Sequence, residues 1–263
     1  GRDQMHGKCA VGKRLGLLGL LVLAAIGCQD GHEERGDPND RLSGQNPATM
    51  PTPRGDDLFR KRHRQFSQRA TKGDIDVLFL GDSITEQWYG QGMDIWKREL
   101  RPLGAENFGM SADRTETMLW RLSHGELDGI SPRVVVLMIG TNNLKSGPIR
   151  MSPTQTAEGV REVLGVLHAR VPGAKVLLMG ILPRQPKYEW FPAVRKDTNR
   201  RLSTLEAERE YVRFIDFSDR FLDTEGNLRE ELYRSDRLHL SREGYEIWAD
   251  AIRQPIRDAL QQD

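Results

Sequence analysis

The sequence predicts a flavodoxin-like, three-layer α/β/α sandwich around a five-stranded parallel sheet, on three observations. Short apolar runs occur at 75–80, 133–140 and 174–181, with further strand candidates at 105–110 and 211–217. Such runs, with no polar alternation, mark strands buried on both faces. Segments of helical character lie between them, and that alternation builds βαβ units and a parallel sheet. The length, 263 residues, suits one domain of ordinary size plus some additional sequence.

The elements follow in order. "DLFRKRHRQFSQRA" is predicted helical, with Leu58, Phe59 and Phe66 as its apolar contacts. Its basic run, residues 60–64, reads as a solvated helix face. "IDVLFL" is the first strand, "MDIWKREL" a helix and "AENFGM" the short second strand. "TETMLWRLSHG" is a helix stopping at Gly125, and "RVVVLMIG" is the clearest buried strand. Ser152-Pro153 starts a helix that Pro172-Gly173 ends. "AKVLLMGI" and "YVRFIDF" are the fourth and fifth strands, with the helix "DTNRRLSTLEAERE" between them. "SREGYEIWADAIRQPIRDAL" closes the chain. The polar stretch 218–240 is long for a loop, and long loops in compact domains are often functional.

Composition narrows the function classes. The 39 basic and 38 acidic residues leave a formal charge of +1, which gives no electrostatic ground for nucleic-acid binding. Both cysteines, Cys9 and Cys28, lie in the N-terminal segment, so the body has no disulfide, thiolate metal site or catalytic cysteine. Residues 1–28 read as a signal peptide: Lys8, Lys13 and Arg14 precede an apolar core, Leu15 to Ile26, too short for a comfortable membrane span. Ala25-Ile26-Gly27-Cys28 resembles a bacterial lipobox, in which the cysteine is lipidated; an ordinary secretory signal and an uncleaved anchor are the other readings. Met5 is a candidate start. All three readings place the domain outside the cytoplasm, touching a membrane only through this N-terminal anchor. Residues 29–56, rich in Pro, Gly and charge, read as a disordered tether, and 57–263 as the domain.

In an open parallel sheet, ligands gather outside the carboxyl ends of the strands. There the sequence places Gly81-Asp82-Ser83 after the first strand, "NFGMS" (107–111) after the second and Gly140-Thr141-Asn142-Asn143 after the third. Asp236 and His239 come before the last helix. Acyl transfer needs a nucleophile, a base, a carboxylate that orients the base, and donors for an oxyanion. Asp236 and His239, three apart, can be held by one short segment. The N–H groups of Ser83 and Gly109 and the side-chain amide of Asn142 could surround a developing oxyanion. Singly, each residue has a duller reading. Ser83 or Asp82 could be a helix cap, Gly109 a turn former, Asn142 a loop residue, and His239 structural, as His63, His124 and His168 are taken to be. Their joint placement on the right loops favours the chemical reading.

Those blocks resemble, in order, the conserved blocks of the SGNH/GDSL esterases. "NFGMSADRTETMLWRLSHGELDGISPRVVVLMIGTNN" and Leu182-Pro183-Arg184 further resemble the catalytic α subunits of intracellular platelet-activating-factor acetylhydrolase. The resemblance covers roughly residues 74–256. It implies a serine esterase with no metal and no cofactor, Ser83 as nucleophile, His239 as base and Asp236 as its orienter. It implies an oxyanion hole of Ser83, Gly109 and Asn142, a preference for short acyl groups, often acetyl, and permits a homodimer. The signal sequence and tether depart from those cytosolic relatives, so an acetylated carbohydrate or lipid, or another external ester, becomes the expected substrate. "GDSIT" lacks the last glycine of the G-x-S-x-G elbow, which argues against the α/β-hydrolase fold. Two rivals stay open: a surface-anchored binding module of the same fold without activity, and a phosphate-binding flavodoxin-like domain, which leaves Asp236 and His239 without a role.

Overall fold

The three inner strands are short and largely apolar on both faces because each is covered twice, whereas the two edge strands carry polar residues, Glu106, Asn107 and Arg213. The computed structural model describes residues 44–145, 150–185 and 190–261. The five strands are β1 (Val77–Gly81), β2 (Ala105–Asn107), β3 (Val134–Met138), β4 (Lys175–Met179) and β5 (Val212–Ile215). They pair in parallel in the order β2-β1-β3-β4-β5. Successive strand residues point to opposite faces. Leu78, Leu80, Val135, Leu137, Val176 and Leu178 enter one core with Phe59, Phe66, Leu119, Val160 and Leu202. Those partners come from α1 (Asp57–Ala70), α4 (Thr115–Ser123), α5 (Pro153–Arg170) and α6 (Phe191–Glu208). Val77, Phe79, Val136 and Met138 enter a second, aromatic core with Trp88, Trp96, Tyr245 and Trp248. Its helices are α2 (Ser83–Glu86), α3 (Met93–Ile95), whose path continues through Trp96–Leu100 and Arg101–Leu103, and α7 (Arg242–Gln261). The result is the α/β/α sandwich expected.

Three expectations change in detail. Helix α6 begins at Phe191, upstream of the predicted 197, with Pro192 in its first turn, where a missing N–H costs nothing. The long stretch 218–240 is partly ordered by two short 3₁₀ turns and the antiparallel bridges Leu222↔Leu228 and Tyr233↔Leu240. The third is a correction: the end of the predicted tether is built into the domain. Asn46 caps a short turn, Pro47–Thr49, and donates its side-chain amide to the Gln155 carbonyl at 3.0 Å. Ala48 is fully buried, and its carbonyl accepts from Thr115 Oγ1 at 2.9 Å. This segment is held by polar contacts, which hydrophobic patterning does not register. The signal peptide, Cys28 and residues 29–43 lie outside the described residues.

Candidate active site

The sheet order reverses between β1 and β3, and the two loops leaving those strands flank that point, where open α/β sheets bind their ligands. Ser83 stands immediately beyond β1 as the first residue of α2. Asp82 caps this helix, its Oδ1 accepting the Ile84 N–H at 2.9 Å. Helix and strand meet closely: a side chain at Gly81 would overlap Thr85 Oγ1 and lie 2.5 Å from the Met138 carbonyl. The glycine needed for close packing is therefore Gly81, and Thr85 fills the position that a G-x-S-x-G elbow would leave bare. Burial pushes the Asp82 carboxyl up to about 7, helped by the charge of Asp113 and opposed by the Ile84 hydrogen bond and Arg184.

His239 and Asp236 are carried by one tight loop. Arg234 N–H donates to the His239 carbonyl at 2.8 Å, and Arg237 N–H to the Arg234 carbonyl at 2.8 Å. Arg237 takes a left-handed conformation, φ +50°, to close the turn. Asp236 Oδ1 accepts the N–H groups of Leu238 and His239 at 3.0 and 2.9 Å. Its Oδ2 lies 2.7 Å from His239 Nδ1, and His239 Nε2 lies 2.9 Å from Ser83 Oγ. Partial burial pushes the Asp236 carboxyl up, but hydrogen bonds from the His239 ring and from the two backbone N–H groups outweigh it and hold it at about 2. An ionised carboxylate only accepts, so the proton of a neutral His239 sits on Nδ1 and the lone pair of Nε2 faces the serine hydroxyl.

The donors are arranged differently from the expectation. Gly109 N–H is donated to Asn107 Oδ1 at 2.8 Å, and a side chain at Gly109 would overlap the Glu86 backbone nitrogen. Gly109 is thus a glycine of close packing against α2, and its N–H is not available to an oxyanion. The rest of the loop accounts for itself group by group. Phe108 N–H donates to the Phe79 carbonyl, Met110 to Gly81, Asp113 to Met110, and Ser111 to Glu86 Oε2. Ala112 N–H alone has no acceptor among the described residues, and Ala112 holds φ +63° on the exposed crest of the loop. Asn142 Nδ2 donates to the Asp113 carbonyl at 2.9 Å, which seats its amide beside that crest with one hydrogen left. Ser83 N–H, at the start of α2, also has no acceptor among the described residues. Sequence reasoning missed Ala112 because it looked for glycine where a bare N–H was wanted.

Buried Arg121 clamps this loop. Its guanidinium donates to the Phe108 carbonyl at 2.7 Å, to Asp113 Oδ2, and to Glu126 Oε2 at 2.7 Å. Glu126 in turn meets His63 Nδ1 at 2.8 Å. His124 stacks on Trp120 and His168 on Tyr211, away from the triad. Among the described residues no group of three or more His, Cys, Asp or Glu is placed to hold a metal ion.

The geometry has counterparts. The family model of the GDSL-like lipases and acylhydrolases matches residues 79–247. This chain belongs to that family. The GDSL chain is 32% identical over 228 residues to the platelet-activating factor acetylhydrolase IB subunit alpha1 of Bos taurus, covering 83% of this chain and 93% of that one. It is 31% identical over 222 residues to the alpha2 subunit of Rattus norvegicus, covering 82% and 93%. Among solved structures it resembles a GDSL-like lipase of Bacteroides thetaiotaomicron (TM-score 0.58, 21% identity, covering 75% of this chain and 98% of that one). It also resembles an acetylxylan esterase of Geobacillus stearothermophilus (TM-score 0.54, 20% identity, 68% and 93%). The GDSL protein is a carboxylic ester hydrolase of the SGNH fold.

Proposed function

We propose that the protein hydrolyses short-chain esters, acetyl esters foremost, with Ser83 as nucleophile. The observation that carries this is the unbroken chain from Ser83 Oγ through His239 to Asp236, with contacts of 2.9 and 2.7 Å. Ser83 Oγ attacks the acyl carbonyl while its proton passes to His239 Nε2. Asp236 fixes the ring and stabilises the imidazolium. The oxyanion is met by the N–H groups of Ser83 and Ala112 and by the Asn142 amide. The tetrahedral intermediate then collapses, and the imidazolium returns the proton to the departing alcohol oxygen, leaving an acyl-serine. Water attacks that ester with His239 again as base, releasing the acid and restoring the serine hydroxyl.

The acetyl preference is supported by the relatives, two of which are acetylhydrolase subunits and one an acetylxylan esterase. An acetylated carbohydrate outside the cytoplasm is the substrate class this reading favours, with Cys28 as the lipid anchor; mass spectrometry of the mature N-terminus tests the anchor. Ser83→Ala is expected to abolish hydrolysis of p-nitrophenyl acetate and labelling by a fluorophosphonate, and wild type to favour acetate over octanoate. Unchanged turnover in Ser83→Ala sinks the assignment. A binding module without activity would show neither turnover nor labelling in the wild type.

A further inference from the structure

Leu182-Pro183-Arg184 follows β4, and the catalytic steps leave it unused. Its place is fixed from both sides: the Pro183 carbonyl accepts from Tyr233 Oη at 2.6 Å, and Gln185 N–H donates to the Arg237 carbonyl at 2.9 Å. Arg184 is therefore strapped against the loop that carries Asp236 and His239. Its half-buried guanidinium stacks on Phe191, 4.2 Å from the ring centroid, and makes no hydrogen bond or ion pair among the described residues. Burial depresses its proton affinity, with only the charge of Asp82 opposing. An unpaired guanidinium in that setting is costly unless something anionic visits it.

Beside it lies a cavity of about 310 Å³ with walls that include Pro183, Phe191, Leu222 and Leu228. Lys196 reaches the same cavity and likewise has no anionic partner among the described residues. Buried Arg195 lies in the wall, its Nη1 donating to Ser218 Oγ at 2.9 Å. The acid in the wall, Glu230, is already paired with Arg237 Nη2 at 2.8 Å. Among the described residues the cavity thus offers apolar walls and two uncommitted cations, with the acid in its wall neutralised.

We infer that this cavity receives the alcohol part of the ester, and that this part carries an anionic group, a carboxylate or a phosphate, held by Arg184 and Lys196. Arg184 is the principal contact, since its planar fork is preset by Phe191, and exposed Lys196 adds longer-range attraction. The inference rests on the esterase reading above and extends it to the leaving group.

Para-substituted phenyl acetates test it, because the acyl group stays constant. In wild type the ratio of kcat/KM for 4-acetoxybenzoate to that for 4-acetoxybenzamide is expected to exceed the same ratio in Arg184→Gln by about tenfold. 4-Acetoxyphenyl phosphate should behave alike, and the advantage should shrink as NaCl is raised. A larger gain with phosphate points to phosphorylated alcohols, and a larger gain with carboxylate to acidic sugars. Equal ratios in wild type and Arg184→Gln for both anions overturn the inference. Calorimetry on Ser83→Ala separates it from the esterase reading. Tighter binding of 4-acetoxybenzoate than of the amide, lost on adding Arg184→Gln, upholds the cavity whatever becomes of Ser83; equal binding overturns it.

Discussion

Replacing Asn142 by alanine tests the proposed oxyanion hole apart from the proton relay. The substitution removes one amide donor and leaves the Ser83–His239–Asp236 chain untouched. Removing a single oxyanion donor typically costs about 3–4 kcal/mol in the transition state, or 10²–10³ in kcat. In the proposed hole two backbone donors, at Ser83 and Ala112, remain, so a loss of about 10² is expected, in kcat and not in KM. The same amide donates to the Asp113 carbonyl at 2.9 Å in a part-buried setting. Losing that bond should cost about 1 kcal/mol of stability, or roughly 2–4 °C in Tm for a domain of this size. The assay is p-nitrophenyl acetate kinetics beside a urea titration of the same preparation. A folded Asn142→Ala enzyme with kcat within threefold of wild type would refute the placement of the hole. So would a loss confined to KM, because that marks binding shared equally by ground and transition states.

Three further outcomes follow from the packing. Asp82, with its carboxyl pushed up to about 7 from an ordinary 3.8, is neutral in both folded and unfolded chains at low pH. As pH rises between those values the unfolded chain releases a proton the fold retains, so stability should fall by up to a few kcal/mol and level off above. Asp82→Asn keeps the cap and should flatten that slope between about pH 4 and pH 7 in urea titrations; an unaltered slope counts against the buried acid. Ala112→Gly should keep activity, since glycine takes φ +63° freely, whereas Ala112→Val should lose at least tenfold in kcat because a β-branched residue resists that conformation; equal activities would remove Ala112 from the hole. Gly81→Ala should destabilise by about 1–3 kcal/mol through its overlap with Thr85 Oγ1, read as a lower urea midpoint at unchanged m.

The inner strands were legible because burial on both faces leaves short apolar runs between helical segments. The placement of Ser83, Asn142, Asp236 and His239 at one sheet edge was legible too, since strand ends and chain order decide it. What escaped was carried by groups without a distinctive letter. Ala112 presents a backbone N–H in a conformation glycine usually marks, while the nearby Gly109 serves packing against Glu86. Residues 46–54 looked like tether because their hold on the domain is a set of polar bonds, such as Asn46 to Gln155 and Arg54 to the Ser111 carbonyl. The role of Arg121 is likewise invisible in one dimension, because its partners, Phe108, Asp113 and Glu126, lie on both sides of it in the chain.

Asp236 does two jobs with two oxygens: one folds the turn by taking the N–H groups of Leu238 and His239, the other grips the imidazole. Imidazole and carboxylate are therefore built as a single unit, closed at its base by the Tyr233↔Leu240 bridge. Such a piece carries its own geometry. In the proposed reaction the chemistry is thus divided between two parts, a serine just beyond β1 and a base-and-carboxylate unit that meets it from a separate loop.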